Sequence, residues 1–192
     1  MKAHAYAFAA ALALIACQAP PAVQDANAQD RSAAAPTRGP DVIYVPTPHE
    51  TVDAMLKLGE VRPGDVLYDL GSGDGRIPIA AARQFGVRAV GIDIDPRRIA
   101  EANANAEAAG VTKLVKFRNE DLFEADFSDA TVITLYLLPS LNEKLAPRLL
   151  ELKPGTRIVS HAFPMGDWAP EQTVQTPGGG VIYRWTVPER GR

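Results

Sequence analysis

The chain has 192 residues, a length that accommodates one domain and an additional segment. Hydrophobic residues make up 46% and charged residues 22%, which excludes a wholly disordered chain and a membrane protein with several spans. Twenty Lys and Arg against 23 Asp and Glu give a net charge of -3, and no basic run is present, so nucleic acid is disfavoured as the main partner. A single cysteine provides neither an internal disulfide nor a cysteine-based metal site.

The amino-terminal residues differ in composition from the rest of the chain. Lys2 precedes an apolar stretch over residues 3–16, which is too short to span a bilayer as a helix and is typical of a signal peptide. The stretch ends in Leu-Ile-Ala-Cys at residues 14–17, which resembles a bacterial lipobox. We therefore expect a lipoprotein signal peptide over 1–16 with lipid on Cys17. An A-x-A-like sequence at residues 26–28 is the alternative cleavage site.

Residues 17–40 are rich in Gln, Pro, Ala, Asp and Asn and contain almost no large apolar side chains. Such a segment cannot bury enough surface to fold, so we expect a disordered tether before a domain over 41–192. The protein would then be exported, either as a membrane-anchored lipoprotein or as a periplasmic protein. Its membrane contact would be made only through Cys17, and it would be cytoplasmic if the signal is not used.

Predicted strands and helices alternate over residues 41–192. Gly and Pro positions delimit them, and residues 47–50 and 140–143 read as capping boxes with Thr47 and Ser140 as N-caps. Asp95 is predicted to cap a third helix. The predicted helices cover 48–58, 77–85, 96–110 and 140–152, and the predicted strands cover 65–70, 88–94, 114–117, 131–138, 157–161, 171–176 and 181–187.

This alternation, followed by a closing hairpin, predicts an α/β sandwich whose sheet is parallel except for the last strand. The nearly all-apolar strand over 131–138 is typical of a central strand that is covered on both faces. In sheets of this type, ligands bind at the carboxyl ends of the strands, at the topological switch point.

A glycine-rich loop, residues 69–75, follows the first strand. A dinucleotide-binding fingerprint needs a small residue at the position of Arg76, so an NAD or FAD site is disfavoured. A P-loop ends in Gly-Lys-Ser/Thr, which this loop lacks, so a nucleoside triphosphate site is disfavoured as well. The pattern D-x-G-x-G-x-G resembles that of the class I, seven-strand S-adenosylmethionine (SAM) methyltransferases. The resemblance implies a Rossmann-like methyltransferase sandwich with SAM as cofactor. Gly71, Ser72 and Gly73 would let the backbone approach the methionine chain and the nucleoside of SAM.

Three carboxylates lie at the ends of three successive predicted strands. Asp69 suits the SAM ammonium, directly or through water, and Asp93 suits both ribose hydroxyls, as in dinucleotide sites. Asp121, after the third strand, suits the adenine amino group. Each acid has an alternative role as a cap or a turn residue, but their joint placement beside the glycine loop favours one cofactor site.

Three further segments narrow the resemblance: residues 44–48 (YVPTP), 137–141 (LLPSL), and 159–164 (VSHAFP) with Trp168 beyond. With the glycine loop, they resemble the small protein-lysine methyltransferases of adenine nucleotide translocase and ATP synthase c-subunit, and their bacterial relatives. The resemblance implies methyl transfer to an amine such as a protein lysine. The N-P-P-Y type motif is replaced by Tyr-Leu-Leu-Pro at 136–139, which disfavours a nucleobase or glutamine amide as acceptor.

The sequence indicates the acceptor side of the site less clearly than the cofactor side. Candidate catalytic residues are Tyr136 and His161, and candidate substrate contacts are Tyr44, Thr47, Ser140 and Trp168. Each of these residues also has a purely structural interpretation, as a helix cap, a packed aromatic side chain or a hydrogen-bonded polar side chain. Three histidines without zinc-type spacing indicate no metal site. The acceptor is expected to be a protein or a small molecule, and the competing function is an exported, non-catalytic module that binds SAM or another nucleoside.

Overall fold

The structure is a computed structural model that describes residue 39 and residues 43–189. The predicted signal peptide over 1–16 and the lipidated Cys17 lie outside the described residues, as does the predicted tether over 17–40 apart from residue 39. None of the helices that the structure describes has the length and apolar character needed to cross a membrane.

Four helices and seven strands alternate among the described residues, and each corresponds to a predicted element with ends shifted by a few residues. The helices are α1 (His49–Leu58), α2 (Arg76–Phe85), α3 (Pro96–Ala108) and α4 (Pro139–Leu150). The strands are β1 (Val66–Leu70), β2 (Arg88–Asp93), β3 (Val115–Asn119), β4 (Val132–Leu135), β5 (Arg157–His161), β6 (Gln172–Gln175) and β7 (Val181–Thr186).

The strands form one sheet in the order β3-β2-β1-β4-β5-β7-β6. Strands β1 to β5 pair in parallel, whereas β7 is antiparallel to both β5 and β6. Among the described strands, β7 alone is therefore reversed, which confirms the predicted sheet. The chain moves outward from β1 to β3 and then returns to place β4 on the other side of β1. The switch point lies between β1 and β4, where a ligand crevice is expected.

Both faces of the sheet are covered, which explains why the central strands are almost wholly apolar. Because side chains alternate along a strand, Val132 of β4 packs into one buried cluster and Ile133 into the other. Helices α1, α2 and α3 contribute to the first cluster, and α4 contributes Leu145 and Leu149 to the second. The carboxyl edge of the sheet remains the place where polar side chains converge.

The two predicted capping boxes are wrong. The N-cap of α1 is Pro48, not Thr47, because Pro48 has an extended ψ of 144° and so precedes the helix. The N-cap of α4 is Leu138, not Ser140, because Pro139 takes the first helical position, where its missing N–H is not needed. Neither helix receives a capping hydrogen bond from a described side chain. Thr47 and Ser140 therefore do not cap these helices.

Candidate active site

A cavity of about 650 Å³ opens at the carboxyl ends of the parallel strands. It is bounded by the loops after β1 to β4 and by the segment before α1. The predicted site residues that line it are Tyr44, Thr47, Asp69, Gly71, Ser72, Asp93, Asp121 and Tyr136. Gly73, Ser140, His161 and Trp168 are outside this lining. The structure therefore brings together the three predicted carboxylates and most of the glycine loop.

The glycine loop is held against the end of β2 by its own backbone. The N–H groups of Gly71 and Ser72 both donate to the carbonyl of Ile92, at 2.8 and 3.0 Å. Gly71, Gly73 and Gly75 have φ values of 85°, 53° and 80°, which side-chain-bearing residues rarely adopt. The alternating glycines of the motif are thus required by the backbone path that the loop follows.

Asp93, the last residue of β2, connects this loop to the start of α3. One carboxylate oxygen accepts the Gly73 N–H at 2.8 Å, and the other accepts the Asp95 N–H at 2.9 Å. Burial raises the pKa of Asp93, and these two hydrogen bonds oppose the increase. Since a carboxylate oxygen has more than one lone pair, each can still accept a hydroxyl. Asp95 itself caps α3 by accepting the Arg97 N–H at 2.9 Å, which confirms that predicted cap.

Asp69 lies deeper in the site than the other acids and is only 3% exposed. One of its oxygens accepts the Thr134 hydroxyl of β4 at 2.7 Å. Desolvation raises the pKa of Asp69 to about 8, and the charges of Asp93 and Asp74 add to the increase. A cation placed beside Asp69 would relieve this unfavourable burial of negative charge, as an amino-acid ammonium would.

Asp121 occupies the turn after β3. Its carboxylate accepts the Phe123 N–H at 2.9 Å, and its carbonyl accepts the N–H groups of Glu124 and Ala125. The turn role considered from the sequence is therefore real, and it coexists with a position on the cavity wall. The turn fixes the carboxylate at the third strand end.

The acceptor-side candidates Tyr136 and His161 contact each other. Tyr136 follows β4 and lines the cavity, and its ring centroid is 4.1 Å from the imidazole of His161 and 6.4 Å from the ring of Phe163. His161 ends β5 and is 6% exposed, and its Nδ1 has no hydrogen-bond partner among the described residues. Burial lowers the pKa of His161, so its imidazole is neutral near pH 7.

Ser140 and Trp168 have other surroundings. Ser140 is exposed in the first turn of α4. Trp168 packs on Trp185 with ring centroids 6.1 Å apart, and its carbonyl accepts the Trp185 indole N–H at 2.8 Å. Their substrate roles stay predictions, and for Trp168 the contacts support the core-closing alternative.

Two side chains that support the site were not identified from the sequence. Thr134 positions Asp69, and the only signal was a hydroxyl residue within an apolar strand. Asn142 of α4 is fully buried and donates to the carbonyls of Phe163 and Pro164 at 3.1 and 3.2 Å. Asn142 thus fixes the turn after β5 that carries Phe163 beside Tyr136.

The residues fit the cofactor that the glycine loop implies. The buried carboxyl of Asp69 suits an ammonium, and the oxygens of Asp93 suit a pair of hydroxyls. Ser72 adds a buried hydroxyl that lacks a hydrogen-bond partner within the part of the chain that the structure describes. No group of three metal-binding side chains occurs among those same residues.

Comparison with known proteins agrees with this fit. The family model of the ANTKMT methyltransferase domain matches residues 69–172. A protein-lysine N-methyltransferase of Saccharolobus islandicus is 46% identical over 155 residues, which cover 78% of this chain and 96% of that protein. The adenine nucleotide translocase lysine N-methyltransferase of Mus musculus is 36% identical over 152 residues, covering 78% of this chain and 64% of that protein.

Solved structures show the same fold with a bound product of SAM. An RNA methyltransferase from Salinibacter ruber, in complex with S-adenosyl-L-homocysteine, is 60% identical with a TM-score of 0.74 and covers 77% of this chain and 97% of its own. A SAM-dependent methyltransferase from Thiobacillus denitrificans, in the same type of complex, is 26% identical with a TM-score of 0.54. The match covers 60% of this chain and 48% of that protein. The chain therefore belongs to the ANTKMT methyltransferase family and is a SAM-dependent methyltransferase.

Proposed function

We propose that this methyltransferase transfers the methyl group of SAM to a lysine amine of a protein. The observation that carries the proposal is the 46% identity, over almost the whole length, to a relative named protein-lysine N-methyltransferase. The non-catalytic alternative has no support in the comparisons described above, because each of those relatives is named a methyltransferase.

SAM supplies an electrophilic methyl group on a sulfonium. The protein must hold the acceptor amine in line with that group and exclude water. A lysine is normally protonated at neutral pH, so it must lose a proton before it can attack. Two tasks therefore fall to this chain's own side chains: attracting an ammonium and then accepting its proton.

Tyr136, His161 and Phe163 form an aromatic patch that is suited to both tasks. The ring faces of Tyr136 and Phe163 attract a cation, and burial between aromatic groups favours the neutral amine. The neutral imidazole of His161 lies 4.1 Å from the Tyr136 ring, and its Nδ1, which has no hydrogen-bond partner among the described residues, can accept the proton. This patch lies at the ends of β4 and β5, whereas the carboxylates lie at or just beyond the ends of β1, β2 and β3.

RNA is the second candidate acceptor, because the Salinibacter ruber relative at 60% identity is named an RNA methyltransferase. RNA binding draws most of its affinity from lysine and arginine contacts to phosphate. The cavity wall contains three arginines, and each is already paired with a carboxylate: Arg76 with Asp74, Arg97 with Asp95, and Arg98 with Glu101. With the net charge of -3, this pairing favours a protein acceptor.

The deciding experiment incubates the full chain with methyl-labelled SAM and, separately, with protein and total RNA of the source organism. We expect label in methyllysine after acid hydrolysis of the protein fraction. An Asp93→Ala variant is the inactive control, and Asp167→Asn, at an exposed position, is the matched control that retains activity. Label in methylated nucleosides without methyllysine would replace the lysine proposal with the RNA one, and label in low-molecular-weight material alone would favour a small-molecule acceptor.

We also propose that the protein is exported, on the support of residues 1–17 alone. Labelling of cells with radioactive palmitate and fractionation of their membranes tests this proposal, with Cys17→Ala as the control. A membrane fraction that carries label only in the wild-type protein is expected. Unlabelled protein in the cytoplasm would contradict export.

A further inference from the structure

The segment before α1 forms one wall of the cofactor cavity. We call residues 43–47 the strap, and four of the five line the cavity. Ile43 and Val45 are 91% and 57% exposed, so they have little to hold them in place. Tyr44 and Thr47 carry the contacts that position the strap.

Thr47 fixes one end of the strap to the start of α2. The side chain of Thr47 is buried, and its carbonyl accepts a guanidinium N–H of Arg76 at 2.7 Å. The same guanidinium donates to the Asp74 carboxylate through Nε and NH2, at 2.9 and 2.6 Å. This end of the strap is therefore attached to the residues that follow the glycine loop.

Tyr44 closes the other end of the strap onto the glycine loop. Its ring lies so close to Gly73 that a Cβ at that glycine would be 2.8 Å from the Tyr44 Cδ2 atom. The guanidinium of Arg98, on α3, lies 4.8 Å from the ring centroid. The phenol hydroxyl interacts with the Asp74 carboxylate. Tyr44 thus joins the loop after β1 to the first turn of α3.

These contacts place Tyr44 against the cofactor half of the site. Gly73, which the ring covers, is the residue whose N–H donates to Asp93. The aromatic patch of the proposed acceptor site follows β4 and β5 instead. The substrate roles expected for Tyr44 and Thr47 stay predictions, and these contacts are made to the cofactor half.

We propose that Tyr44 retains the cofactor: its ring closes the strap over the glycine loop, and SAM and S-adenosylhomocysteine enter and leave when this closure opens. Small-molecule sites enclose most of their ligand, and an enclosed ligand leaves only as fast as the enclosing segment moves. The strap is attached through Arg76 at one end and through Tyr44 at the other. Opening at Tyr44 breaks a ring contact, a cation–π contact and a polar contact.

The test measures how fast radiolabelled S-adenosylhomocysteine leaves the full chain after an excess of unlabelled ligand is added. Tyr44→Ala is expected to accelerate dissociation roughly tenfold, because a cation–π contact and a polar contact are lost together. Tyr44→Phe keeps the ring and loses the hydroxyl, so its rate is expected between the two. Arg98→Gln keeps Tyr44 and removes the cation, and is also expected to accelerate dissociation. In steady state, all three raise the KM for SAM more than they change kcat.

Val174→Ala, at an exposed apolar position on the edge strand β6, is the control and should dissociate as the wild-type protein does. Unchanged dissociation in Tyr44→Ala and Arg98→Gln would overturn the proposal. Slower dissociation in Tyr44→Ala would also overturn it, because the ring would then compete with the cofactor for its place. A thermal unfolding curve without ligand shows whether each variant is folded, and Tyr44→Phe decides the question if Tyr44→Ala is not.

Discussion

Replacing Asp69 with Asn isolates the most strongly perturbed carboxyl of the site. Burial raises the pKa of Asp69 from 3.8 to about 8 in the protein without cofactor. Between these values the folded state keeps a proton that the unfolded state has released. Folding stability from this group is therefore fully present at low pH and is lost as pH rises. The loss between about pH 5 and pH 7 is roughly 3 kcal/mol.

Asn does not titrate, and its amide oxygen can still accept the Thr134 hydroxyl. The stability of Asp69→Asn relative to the wild-type protein should consequently rise by roughly 3 kcal/mol from about pH 5 to pH 7. Urea unfolding followed by circular dichroism at both pH values measures this difference, with the exposed Asp167→Asn as the control. An equal stability difference at the two pH values would refute the assignment of the raised pKa to Asp69.

The same variant tests whether Asp69 receives a positive group of the cofactor. Near pH 7 the wild-type carboxyl is mostly protonated, so binding of an ammonium beside it should release a proton. Calorimetric titration of SAM in buffers of different ionisation enthalpy detects that release. Asp69→Asn should bind SAM more weakly and release no proton from this site. Equal proton release in both proteins would mean that the ammonium lies elsewhere.

Three further predictions concern neighbouring positions. Asp93→Ala should abolish SAM binding in calorimetry without unfolding the domain, and binding as tight as in the wild-type protein would make the ribose assignment wrong. Gly91→Ala places a Cβ 2.6 Å from the Phe117 Cε1 atom within β2, so thermal or urea unfolding should show a loss of roughly 1–3 kcal/mol, whereas wild-type stability would show that the strand can adjust. His161→Asn should have a lower kcat at neutral pH, and its kcat should recover at higher pH, where the lysine is already neutral. A pH profile of kcat that is the same as that of the wild-type protein would exclude proton transfer to His161.

The cofactor half of the site was predictable because its signals are local. The glycine pattern requires a particular loop, and Asp69, Asp93 and Asp121 each lie at or just beyond the carboxyl end of a strand that is apolar enough to recognise. Parallel strands bring their carboxyl ends to one edge, so the three acids meet wherever the strand order is that of a switched sheet. Thr134 escaped notice because nothing in its own strand shows which side chain it faces.

The acceptor half depends on packing that sequence spacing does not reveal. Trp168 lies against Trp185, a residue of a strand that is distant in sequence, so its place could not be read from its own segment. The two capping errors have a local cause, since Pro48 and Pro139 set the helix starts through their backbone geometry and not through a side-chain cap. In both helices, the proline beside the capping pattern therefore predicts the start of the helix better than the pattern does.

The reversed direction of β7 determines where the turn between β6 and β7 lies. Because β6 and β7 form a hairpin, the turn between them lies at the edge where the parallel strands end. Gly180 of this turn faces the imidazole of His161, because a Cβ at this glycine would be 3.2 Å from the Nε2 atom of His161. The turn can lengthen or change composition without shifting any strand that holds one of the three predicted cofactor-binding acids. At a single sheet edge, the fold therefore separates the strands that carry those acids from the turn beside the proposed acceptor patch.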